Sequence, residues 1–246
     1  MLFCGVPIKE FPVRLLVLCS FLFMSVSAFA QLYPSTSQDV SLEEAQALFK
    51  ELKNENAKMD AYSECFERAH MWARYAEHVR GIQMEKVYLF FTYKFTMKHR
   101  VTSRWGRAFT WWFHVAPAVR VNGELFVMDA TFTDAAMPLQ EWSQSLMKTP
   151  EECVELSDPQ DYVADRNSTN GYRNVENARA QCYFTTAPKY FYQPVEIGFR
   201  EGNKAMMEYV TPLLTPVDWN KNTLNWAIQS YKGRANQRAA RQLLGL

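Results

Sequence analysis

The sequence carries almost no net charge: 27 lysines and arginines stand against 26 aspartates and glutamates, with only four histidines. No basic or acidic excess is available to hold nucleic acid or an anionic membrane surface, so neither is expected as a partner. Glycine is scarce, at 9 of 246 residues, and no glycine-rich phosphate loop occurs. No cysteine–histidine cluster has zinc spacing, so no metal site is expected, nor is any cofactor called for. There is no internal repeat, no long linker and no composition shift that would demand a second domain.

What is plentiful is apolar surface. Hydrophobic residues make up 48% of the chain and aromatics 15%, the composition of a packed globular domain rather than a disordered one. The first thirty residues stand apart. Lys9 and Arg14 lead into LLVLCSFLFMSVSAFA, an apolar run ending in small residues, and Gln31 follows. This pattern predicts a Sec-type signal peptide over residues 1–30, cleaved after Ala30. The run is short for a membrane anchor, so a periplasmic or secreted bacterial protein without stable membrane association is expected. Residues 31–246 then form a single domain, expected to be monomeric, with 25 basic and 25 acidic side chains.

Three cysteines remain after residue 30: Cys65, Cys153 and Cys182. In an exported chain an odd count leaves one over, as a free thiol or for intermolecular pairing. Cys153 and Cys182 flank a polar, loop-like stretch. A disulfide closing that loop would add about 3 kcal/mol in the chain-entropy picture and would leave Cys65 alone. The alternative is three reduced, structural thiols.

Two helices are predicted first. Ser41-x-x-Glu44 is a capping box, and Leu42, Ala45, Leu48, Phe49 and Leu52 share a face behind it. The next, DAYSECFERAHMWARYAEHV, puts Cys65, Ala69, Trp72, Ala73 and Ala76 on one stripe, with Asp60 or Ser63 as N-cap. KVYLFFTYKFTM reads as a strand and TSRWGRA as a loop. FTWWFHVAPAVRV and ELFVMDATF flank Asn122-Gly123, the strongest short-range hairpin signal. Residues 133–178 read as mostly irregular, with a helical patch at PLQEWSQSLM. A strand broken by two prolines follows in AQCYFTTAPKYFYQPVEI, then two helices, EGNKAMMEYVTPLL and DWNKNTLNWAIQSYKGRANQRAARQLL. Helices, then strands, then helices is an α+β order.

The hairpin fixes a register. With a two-residue turn, Val121 faces Glu124, and continuing the ladder sets Ala116 opposite Asp129 and His114 opposite Thr131. Paired residues share a face, so His114 and Asp129 become diagonal neighbours within reach of a hydrogen bond. A carboxylate that orients an imidazole leaves it able to take a proton from a nucleophile. Cys65, in the first turn of a helix, feels the positive end of the helix dipole and can supply one. The plainer readings are a buried cysteine packed as a small hydrophobe, a structural histidine, and an aspartate that merely starts a turn. His70 lies five residues beyond Cys65, well round the helix, and is expected to brace it together with Arg68. His78 and His99 read as surface residues.

Cys65-x-x-Arg68-Ala69-His70 on a helix, then an aromatic-rich strand, His114-Val115 on the next strand and Asp129 on the one after resemble the bacterial protein-glutaminase family. The resemblance spans roughly Tyr62 to Trp142. It implies a transglutaminase-like, papain-like core in which the helix bearing Cys65 packs against a sheet bearing His114 and Asp129. It further implies Cys65 as nucleophile, His114 as general base and acid, and Asp129 as the orienting carboxylate. The sequence departs from the family pattern in having Asp129-Ala130 where proline often follows the aspartate. It also has too short a segment before Cys65 for the family's long inhibitory pro-region.

Such a triad makes a thioacyl-enzyme from an amide. The resemblance implies water as acceptor, hence deamidation of glutamine in a protein or peptide substrate. Trp105, Trp111 and Trp112 could line a groove for the substrate side chain or belong to the core. The same residues would also serve a papain-like peptidase or a transglutaminase, and a non-enzymatic binding module would keep the fold with an inert thiol.

Overall fold

The computed structural model describes residues 37–59, 64–91, 101–102, 108–109, 113–147, 152–156, 180–189, 191–194, 214–216 and 221–246. The signal-peptide expectation for residues 1–30 lies outside them. Helix α1, Leu42–Lys58, starts where the capping box places it: Ser41 Oγ accepts from the Glu44 N–H, and Glu44 Oε2 accepts from the Ser41 N–H. Ala45, Leu48, Phe49 and Leu52 are buried, whereas Leu42 is half exposed. It is the helix's first residue and stands past the end of the core.

Helix α2, Cys65–Arg80, begins with the cysteine itself, after Glu64 as N-cap rather than Asp60 or Ser63. Glu67 supplies the cap contact, its Oε2 accepting the Glu64 N–H at 3.2 Å. All five stripe residues are buried. Gly81 ends the helix in the left-handed conformation (φ 67°), which lets its N–H and that of Ile82 return to the carbonyls of Glu77 and Ala76.

Six strands form the main sheet: β1 (Glu85–Phe91), β4 (Phe113–Val121), β5 (Glu124–Val127), β6 (Met137–Pro138), β7 (Val154–Glu155) and β8 (Cys182–Pro188). Their order is β6-β5-β4-β1-β8-β7, antiparallel except for the parallel β7–β8 pair. β1 lies inside the sheet, and all seven of its residues are buried. Its alternation divides the core. Tyr88 and Phe90 pack with Cys65 and Ala69 of α2. Val87, Leu89 and Phe91 pack with Trp142, Leu146 and Met147 of α3, Leu139–Met147. Helices therefore cover both faces. The α+β order of helices, strands and helices is the observed one.

Cys153 and Cys182 are joined in a disulfide, buried in the cluster that holds α3 against the sheet. Two small pairs lie outside the main sheet, β2 (Val101–Thr102) with β3 (Ala108–Phe109), and β9 (Phe191–Pro194) with β10 (Leu214–Pro216). β8 and β9 each end at one of the two prolines expected to break that run. Leu214, the last residue of the first predicted tail helix, is in strand β10 instead. The rest of that helix lies outside the described residues.

The long C-terminal helix is two, α4 (Lys221–Gln229) and α5 (Gly233–Leu243). Between them Tyr231 forms a bridge with Met59, Lys232 N–H donates to the Lys58 carbonyl, and Gly233 takes a positive φ of 74°. A glycine tolerates that angle, and the pairing with the end of α1 competes with helix continuation. Among the described residues no helix is long and apolar enough to cross a membrane.

Candidate active site

The Asn122-Gly123 turn has φ of 52° and 81°, the two positive angles of a type I′ turn. It sets the expected register, from Val121–Glu124 to Ala118–Val127. One further bond continues the ladder, from Met128 N–H to the Pro117 carbonyl at 2.9 Å. There the expectation is corrected. Asp129 and Thr131 do not pair across from Ala116 and His114, because residues 129–133 fold into a turn. The Asp129 carbonyl accepts the N–H groups of Phe132 and Thr133, and its Oδ1 accepts the Thr131 N–H at 3.0 Å. An aspartate side chain offers nearby N–H groups a local partner, which competes with the ladder.

The turn still delivers Asp129 to the histidine. His114 Nε2 and Asp129 Oδ2 are 2.8 Å apart, with both side chains buried. The same Oδ2 accepts the Trp142 indole N–H at 3.1 Å. The imidazole stands edge-on to Phe132, ring centres 5.0 Å apart, and is tilted over Trp142 at 5.9 Å. Ring and carboxylate are thus held by hydrogen bonds and by aromatic walls.

Cys65 meets this pair from α2. It is a free thiol, 4% exposed, packed among Ala69, Tyr88, Val115 and Tyr183. It acts electrostatically on the His114 imidazole. Burial, and secondarily the charge of Cys65, hold the Tyr88 phenol well above its usual range.

The electrostatics follow from this packing. Burial works against the imidazolium, but the Asp129 carboxylate and then Cys65 outweigh it, and the pKa of His114 is raised to about 9. Burial likewise disfavours the Asp129 carboxylate. The His114 charge and hydrogen bond, Arg68 and Trp142 overcome that, and its pKa lies below the ordinary value.

Arg68, three residues beyond Cys65, donates to Thr131 Oγ1 at 2.9 Å. It therefore braces α2 against the Asp129 turn. His70 faces elsewhere, its Nδ1 3.0 Å from Lys86 Nζ in the core. His78 is exposed. His99, Trp105, Trp111 and Trp112 lie outside the described residues. Trp142 and Lys86 carry no sequence motif. The one signal for Trp142 was an indole in a helical patch soon after the hairpin. Among the described residues, no group of three or more His, Cys, Asp and Glu side chains could hold a metal ion.

Brought together are a thiol at a helix N-terminus, an imidazole and a buried carboxylate, the groups needed to attack an acyl carbon and move one proton. Comparison with solved structures gives two matches. A protein-glutaminase crystal structure is 13% identical, with 86% of this chain and 91% of that one covered, at a TM-score of 0.45. A mutant of pro-protein-glutaminase is 14% identical, with 64% of this chain and 50% of that one covered, at a TM-score of 0.41. Likenesses of this size are too weak to transfer a site. No curated protein matches. A family model described as glutaminase matches residues 45–146, the stretch from α1 through α3 that contains Cys65, His114 and Asp129. Over that stretch, less than half of the chain, the sequence is similar to the glutaminase family, and the match supports an enzyme of that kind.

Proposed function

We propose that this enzyme deamidates glutamine side chains in proteins, using Cys65 as nucleophile, His114 as the proton carrier and Asp129 as its anchor. The observation that carries the reading is the buried His114–Asp129 hydrogen bond, with the free Cys65 thiol packed against Val115, the residue next to His114. The reaction needs one proton given and one taken back. Cys65 Sγ bonds to the carboxamide carbon while His114 holds the proton, as it does through neutral pH. His114 gives that proton to the departing nitrogen, the C–N bond breaks, and ammonia leaves a thioester on Cys65. Water then attacks the thioester as His114 takes one of its protons, and the C–S bond breaks to give glutamate and the Cys65 sulfur beside a protonated His114. The first N–H groups of any helix have no acceptor within it, so those at the start of α2 are placed to stabilise the oxyanion beside Cys65.

Export through the residue 1–30 signal, with residues 31–246 as a single catalytic domain, belongs to the same proposal. The Cys153–Cys182 disulfide supports it, since such bonds persist in oxidising compartments. The test is ammonia release from a glutamine-containing protein by wild type and Cys65→Ala, with chain length followed on a gel. Release by wild type alone, from substrate of unchanged length, is the expected result. No release by either protein, or cleavage into fragments, would overturn the proposal.

A further inference from the structure

We propose that the corner between α4 and α5 is a clamp that positions the nucleophile, with Glu67 and Ser230 as its positioning residues; this rests on reading Cys65 as the nucleophile. Helix α2 begins at Cys65 with Glu64 as N-cap, a position where serine, threonine, asparagine or aspartate would be favoured. Glu67 compensates from the first turn. Its Oε2 accepts the Glu64 N–H at 3.2 Å, and the same oxygen accepts the hydroxyl of Ser230, 163 positions along the chain. One carboxylate oxygen therefore joins the residue before Cys65 to the corner between α4 and α5. Burial, and then the adjacent Glu67 charge, hold the Glu64 carboxyl above its usual range. Two acidic side chains crowded at the start of α2 need a donor such as the Ser230 hydroxyl.

The same corner grips the chain on the other side of the α1–α2 connection. Tyr231 bridges to Met59, and the Lys232 N–H donates to the Lys58 carbonyl at 2.9 Å. Tyr231 is 4% exposed and packs in the core cluster that contains Met59, Leu224, Ala227 and Ile228. Three consecutive residues, Ser230 to Lys232, thus fix both the departure from α1 and the entry into α2. Core packing does not require a serine hydroxyl on a glutamate of the nucleophile's own first turn. What that bond does set is the tilt of the turn presenting Sγ and the oxyanion N–H groups. Misplacement of such groups by about 1 Å can cost on the order of a hundredfold in rate.

The test is a double-mutant cycle on Ser230→Ala and Glu67→Ala, read by kcat, KM and the rate of iodoacetamide alkylation of Cys65. Each single variant is expected to lower kcat and alkylation about tenfold with KM little changed, a fraction of the full misplacement effect. The double variant should lose no more than either single, and Ser230→Thr, which keeps the hydroxyl, should restore the rate. Additive losses, or wild-type kcat and alkylation in the folded single variants, would overturn the clamp. If Ser230→Ala does not fold, Glu67→Ala against Ser230→Thr decides: the clamp is overturned if the first keeps wild-type kcat or the second loses it. Cys65→Ala, assayed alongside, separates this from the underlying reading. Persistent ammonia release by that variant would sink the nucleophile assignment itself.

Discussion

His114 Nε2 lies 2.8 Å from Asp129 Oδ2, inside a shell of Phe132 and Trp142 that excludes water from both groups. Burial by itself disfavours the imidazolium, and the buried carboxylate outweighs that penalty.

The pH profile should show it. With the His114 pKa raised to about 9, the imidazolium is held through neutral pH and lost as pH rises through that value. Alkylation of Cys65 by iodoacetamide, followed from acid to alkaline pH, should change course near pH 9 in wild type. In Asp129→Asn the same feature should move down toward the ordinary histidine value of about 6.5. An unmoved feature would separate His114 from Asp129 in function.

Trp142 gives a second test. Its indole N–H donates to the same Oδ2, so Trp142→Phe keeps the aromatic wall while removing a hydrogen bond to a buried carboxylate. A bond of that kind contributes about 1.5–3 kcal/mol. Urea unfolding should register a loss of that size, together with a lower kcat. Wild-type stability and rate would show that the indole serves only as packing.

Lys86 concerns stability away from the site. It is fully buried on β1 with His70 Nδ1 3.0 Å away. Burial drives its pKa well below the ordinary 10.5, so the folded state releases a proton that the unfolded chain still binds. Stability from this group therefore rises with pH up to that ordinary value. His70 is lowered as well, by burial first and Lys86 second, so its contribution falls away as pH drops below about 6.5. Against Lys86→Met, which cannot titrate, urea melts should shift in favour of wild type between about pH 7 and about pH 10. Parallel curves would contradict a lysine held uncharged.

Local features were legible in the sequence where their cause is local. The Asn-Gly turn, the Ser41 capping box and the stripe from Cys65 to Ala76 depend on neighbours a few residues away, and each stands where the pattern placed it. The ladder beyond Met128 was misread because Asp129 competes for nearby N–H groups, and alternation alone does not weigh that competition. Arg68 finds its partner 63 positions away, and Trp142 reaches Asp129 from a separate helix. Such contacts depend on how layers dock. The break in the C-terminal helix left a trace, Gly233 inside a helical run, whose meaning came from the end of α1.

The place of β8 in the sheet has a consequence for how the chain is assembled. β1 pairs on one side with β4, which follows it closely, and on the other with β8, whose residues 182–188 come almost a hundred positions later. Synthesis thus delivers α1, α2, the hairpin and α3 well before the strand that covers β1's second edge. Until then Glu85–Phe91 offers a bare row of N–H and carbonyl groups flanked by apolar side chains, the kind of edge that recruits other chains. Pairing over so long a loop is also intrinsically slow. The segment holding Cys65, His114 and Asp129 is therefore made before the sheet it belongs to is closed.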